Sequence, residues 1–78
     1  MREKRLYLVI TFHTTSAAMA MEALCAERGL PGRLIPVPRE ITAGCGMAFR
    51  AEPEQEQSLL EAANGAGIQV DGVYKLVI

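Results

Sequence analysis

The chain has no tryptophan and only four other aromatic residues, two Tyr and two Phe, in 78 residues. Its core must therefore be built from Leu, Ile, Val, Ala and Met. No run approaches the roughly 18 apolar residues that a membrane span needs. Neither charge sign dominates: eight Lys and Arg face nine Asp and Glu, a net charge of −1, which leaves no footprint for nucleic acid. Arg2, Lys4 and Arg5 cluster at the start and read as a solvated end. Cysteine is scarce too. Cys25 and Cys45 stand twenty residues apart and form no CxxC pair, so in a reducing compartment both are expected as free thiols. There is no paired-carboxylate signature and no metal-ligand spacing, so no metal and no cofactor is expected. "MREKRLYLVITF" is basic, then apolar, but it alternates like a strand and has no small-residue cleavage site after it. The expected compartment is the cytoplasm.

A length of 78 residues predicts a single domain over 1–78, with thin stability because small chains bury a smaller fraction of their surface. Leu6 to Phe12 alternates as a strand with two apolar faces, which suits a central position. Thr14, Thr15 or Ser16 caps a helix that runs to Gly29, with Ala18, Met21, Leu24 and Cys25 on one stripe and Glu22 off it. Arg33 to Pro38 reads as a second strand. Pro36 and Pro38, two residues apart, both lose their N–H on the same side, and a ladder tolerates that only at a sheet edge. Met47 to Ala51 is a third strand. Pro53 opens a second helix ended by Gly65 or Gly67, and Val73 to Ile78 is the last strand.

The order βαββαβ, with short links and right-handed crossovers, predicts an α+β, ferredoxin-like fold: a four-stranded antiparallel sheet with two helices on one face. Its strand order, 4-1-3-2, puts the second strand on an edge, where the prolines independently require it. A three-stranded sheet with one loose edge is the alternative.

In this topology the turn carrying Cys45 lies at the same end of the sheet as His13, Thr14, Thr15, the start of the first helix and the 64–70 link. A helix N-terminus lowers a thiol's pKa, and Arg39 would act in the same direction. Gly44 and Gly46 remove side chains on both flanks and expose the sulfur. Gly-Cys-Gly also fits a plain turn with a small buried residue, and spacing alone leaves both open. Cys25, mid-helix on the apolar stripe, is expected as a small hydrophobe. His13 by itself is a weak signal, more in keeping with a surface or capping role.

Several features together resemble the selenium/sulfur carrier protein-like family. They are the Thr11-Phe12 strand end before a Ser/Thr-rich cap, Glu22 in the first helix, and above all Pro36-x-Pro38-Arg39 followed by Cys45-Gly46 and an apolar strand. The resemblance covers nearly the whole chain. It implies that Cys45 is the chalcogen-carrying thiol, to which the topology and chemistry above add Gly44, Gly46, Arg39, Thr14 and Thr15 as supporting residues. It further implies a carrier rather than an enzyme, loaded by a cysteine desulfurase-type donor and unloaded by an acceptor enzyme. It implies no catalytic role for His13. An acylphosphatase would need an Arg in the loop after the first strand, and a soft-metal chaperone two close cysteines there; the loop has neither. The competing reading is an interaction or regulatory module. In it Tyr7, Val9, Ala48 and Val73, framed by Arg50 and Lys75, form an apolar patch on the open sheet face suited to a homodimer, and Gly-Cys-Gly is only a turn.

Overall fold

The computed structural model describes residues 4–41 and 45–78. Gly44, a predicted supporting residue, and Arg2 of the basic start lie outside them. The elements are β1 (Leu6–Phe12), α1 (Thr15–Arg28), β2 (Arg33–Pro36), β3 (Met47–Ala51), a 3-10 turn (Pro53–Gln55), α2 (Glu56–Gly65) and β4 (Val70–Val77). All strand pairs are antiparallel and the order is β2-β3-β1-β4. This is the predicted ferredoxin-like α+β arrangement. β2 lies at an edge, and Pro36 is opposite Met47 at its end.

Local chemistry sets the helix ends. The Thr14 hydroxyl accepts the Ala17 N–H at 3.0 Å, so Thr14 is the N-cap of α1. At the other end Leu30 N–H returns to the Cys25 carbonyl at 2.8 Å, closing the helix over Gly29. Pro53 does not begin α2 directly. It opens the 3-10 turn, and the α-helix proper starts at Glu56.

Strand parity divides the core. Leu8, Ile10 and Phe12 of β1, with Phe49 and Ala51 of β3, meet Ala18, Met21 and Cys25 of α1 and Leu59 and Ala63 of α2. Both helices therefore cover one face. The other face is not left bare. Ile41, from the β2–β3 connection, folds over Val9 and Ala48, and both are fully buried. A turn closed by Ile41 N–H on the Pro38 carbonyl at 2.9 Å brings it there.

That arrangement corrects the expected open-face patch. Val73 pairs with Ile10, and Lys75 with Leu8, so both sit on the helix-covered side. Lys75 Nζ reaches Glu56 Oε1 of α2 at 3.1 Å. Tyr74 and Leu76 take the open-face positions instead. The run Val73–Ile78 is apolar in both phases, so alternation cannot choose its face; pairing with β1 does.

A cysteine clamped between strand ends

Cys45 and Gly46 precede β3 and lie between the ends of its two neighbours. The Cys45 N–H donates to the Phe12 carbonyl at 3.0 Å, and Val37 N–H donates to the Gly46 carbonyl at 3.0 Å. The two residues are thus tied on one side to the end of β1 and on the other to the chain leaving β2. Gly46 has φ +92°, a region that L side chains rarely adopt. Nothing lies within 4 Å of where its Cβ would be. The glycine is therefore required by backbone conformation and not by crowding.

Parity sets the direction of the sulfur. Cys45, Met47 and Phe49 alternate onto the helix-covered side, and Cys45 packs at the margin of the main core. Its thiol is half-buried and lies 3.8 Å from the Met47 carbonyl, to which S–H donates weakly. It is less open than the glycine frame suggests, because a residue with this parity turns inward. Cys25 is 2 % exposed, and burial pushes its thiol above the ordinary value, with Arg28 pulling weakly the other way.

The predicted supporting residues divide into two groups. Thr14 and Thr15 begin α1 one step beyond His13, and the Phe12–Cys45 bond ties this end of β1 to the cysteine segment. The Thr14 hydroxyl is engaged in capping. Arg39 is exposed at the tip of the turn from Pro38 to Ile41, and no hydrogen bond or ion pair joins it to Cys45 among the described residues.

A polar cluster that the sequence did not reveal sits at the same end. β1 and β4 slip by one residue between Thr11 and Phe12, so that Gly72 and Val70 are paired and Asp71 is extra. This bulge turns the Asp71 carboxylate onto β1. One oxygen accepts from the buried Thr11 hydroxyl at 3.4 Å, and the other lies 3.4 Å from His13 Nδ1. A buried hydroxyl needs such a partner. The sequence signal was a Thr at an apolar strand position and an Asp-Gly pair, which reads first as a turn. His13 also lines a cleft of about 650 Å³ with Leu60, Asn64, Gly67 and Gln69. It also lines one of about 400 Å³ with Ser16 and Ala20. Cys45 lines neither. Among the described residues no three His, Cys, Asp or Glu side chains converge as a metal site, and no helix is long and apolar enough to cross a membrane.

The family described as "Putative Se/S carrier protein-like" matches residues 7–75, from the second residue of β1 to the middle of β4. The chain belongs to this family. The matched span holds the whole sheet core, both helices and the Pro36-to-Cys45 segment that carried the resemblance. No curated protein and no solved structure matches the chain.

Proposed function

We propose that the protein carries sulfur or selenium on Cys45 as a persulfide or selenopersulfide. A cysteine desulfurase-type donor supplies the atom and an acceptor enzyme removes it. Family membership supports the carrier class. The observation that favours Cys45 is its half-buried position in the backbone clamp between Phe12 and Val37, against the sealed position of Cys25. The clamp fixes the main chain on both sides, so the thiol can be loaded without rebuilding the sheet.

The chemistry asks little of the protein. The Cys45 thiolate attacks the terminal sulfur of a donor persulfide, a new S–S bond forms, and the donor's S–S bond breaks. The donor leaves as a thiolate and takes up the proton that Cys45 gave up, so no outside oxidant or reductant is consumed. Selenium transfers the same way. Incubation with a small-molecule persulfide followed by peptide mass spectrometry tests the assignment. One added sulfur on the Cys45 peptide is expected. Sulfur on the Cys25 peptide, or on neither, would refute it.

A second reading rests on the open face. Ile35, Val37, Tyr74, Leu76 and Ile78 remain partly exposed around Ile41, an apolar ring that a second copy of the chain would cover. In this reading the protein is an interaction module. Sedimentation at micromolar concentration tests its dimeric form: a monomer removes self-association through this face and leaves the carrier intact.

A further inference from the structure

The far end of the sheet from Cys45 holds a concentration of arginine. Arg33 of β2 stands directly opposite Arg50 of β3. Arg50 is in turn opposite Val9, so both arginines are on the open face. Like charges facing each other across strands destabilise a sheet. The Arg50 guanidinium lies 4.5 Å from the centre of the Tyr7 ring, and that of Arg5 lies 4.8 Å from it. Arg5 is ion-paired with Glu52. Among the described residues no carboxylate is paired with Arg33 or Arg50. Among the described residues that line this corner, three guanidiniums face one carboxylate, an excess of two positive charges in a chain whose net charge is −1.

The corner is also shaped. These side chains line a recess of about 310 Å³ with Gly32 at its wall, near the lower end of the size range of small-molecule sites. Gly32 has φ +144°, and a Cβ there would run into the Phe49 ring and lie 2.9 Å from the Arg50 carbonyl. Only glycine lets the chain close on β3 at this point and set Arg33 beside Arg50. Stacking on Tyr7 holds the Arg50 and Arg5 planes in place.

We propose that this recess binds a small phosphate-bearing molecule. A phosphate monoester carries about −1.5 to −2 at neutral pH, which matches the two unbalanced charges. Planar guanidinium forks meet phosphate oxygens in pairs. A single carboxylate would neutralise only one of the two arginines. The site is separate from the thiol: Arg50 lies on the open face, five residues on in the chain, whereas Cys45 packs against the helix-covered core. It does not depend on the carrier reading.

Titration of the full chain, followed by amide NMR, tests the proposal with inorganic phosphate and glycerol phosphate as two arms and acetate at equal ionic strength as control. Saturable shifts at Gly32, Arg33 and Arg50 are expected with phosphate and not with acetate. Tighter binding in the glycerol phosphate arm marks an ester as the ligand, and equal binding marks the free anion. Arg33→Gln and Arg50→Gln should each weaken binding about tenfold, the effect of losing a charge-assisted hydrogen bond. Thermal melting shows that both variants fold. Shifts that never saturate, shifts reproduced by acetate, or folded variants that bind like the parent would overturn the site. A glutamate-rich peptide that displaces phosphate at lower concentration would overturn the small-ligand assignment and make the corner a protein-docking face. Sulfur loading of Cys45, measured on the same variants, should be unchanged, which keeps failure of this site distinct from failure of the carrier reading.

Discussion

Alkylation of the native protein at neutral pH should label Cys45 far ahead of Cys25, by about a thousandfold or more. Cys25 is 2 % exposed and lies in the last turn of α1, in the main core with Leu8, Ile10 and Phe49. Reagent reaches it when that core, shared by β1, β3 and both helices, opens. At about 0.05–0.15 kcal/mol per residue, a chain of 78 residues is stable by about 4–12 kcal/mol. Each ~1.4 kcal/mol is a factor of ten in the open population, so the low end alone gives about a thousandfold protection. Burial acts in the same direction through chemistry: it raises the Cys25 pKa, and less thiolate is present at pH 7. Cys45 is half-buried at the margin of the core and needs no global opening. The assay is a time course of alkylation, quenched and read by peptide mass spectrometry, with a denatured control in which both thiols react alike. Cys45→Ser should leave only the slow phase, and Cys25→Ala only the fast one. Comparable rates for the two thiols in the native protein, or Cys25 reacting first, would refute the accessibility reasoning and with it the choice of Cys45 as carrier.

Gly46→Ala should cost about 1–2 kcal/mol through positive φ alone, since its Cβ meets nothing. Thermal unfolding should then fall by ~4–16 °C, and an unchanged midpoint would show that the turn relaxes freely. Pro36→Ala, at the end of the edge strand, should change stability by less than ~0.5 kcal/mol in denaturant unfolding; a loss of several kcal/mol would mean that β2 is internal. Asp71→Ala leaves the buried Thr11 hydroxyl with only a 3.5 Å contact to the Gly72 carbonyl and should cost about 1–3 kcal/mol, with Thr11→Val in a double-mutant cycle showing strong non-additivity. The raised pKa of Cys25 has a pH signature. The unfolded chain loses this proton first, so stability is full below the unfolded thiol value of about 8.5 and falls as pH rises above it. Cys25→Ala should remove that part of the alkaline decline in denaturant midpoints; an unaltered decline would assign it elsewhere.

The order of elements was legible because each local signal agreed with the others. A capping Thr14, a stopping Gly29, an apolar stripe through Ala18, Met21 and Cys25, and Pro36 at the end of the edge strand with Pro38 just beyond it all point to the same topology. Connectivity alone placed Cys45 at the end of the sheet where β1 gives way to α1, and the bond from its N–H to the Phe12 carbonyl fits that placement. These features depend on residues near one another in the chain, or on rules of chain connection that sequence order carries. What sequence could not supply was any feature set by register between distant segments. The basic start read as a solvated end, and Arg5 is exposed; what no local signal showed is that it stacks on Tyr7 and pairs with Glu52, forty-seven residues on. β4 was apolar in both phases, so only its pairing with β1 could turn Tyr74 outward and Val73 toward the helices. The same pairing inserted the bulge that brings Asp71 to Thr11 and His13. Composition determined that most of the core would be aliphatic, although its two largest buried side chains are Phe12 and Phe49. Strand register, which balances all the side chains of both faces at once, decided which groups meet at each end of the sheet.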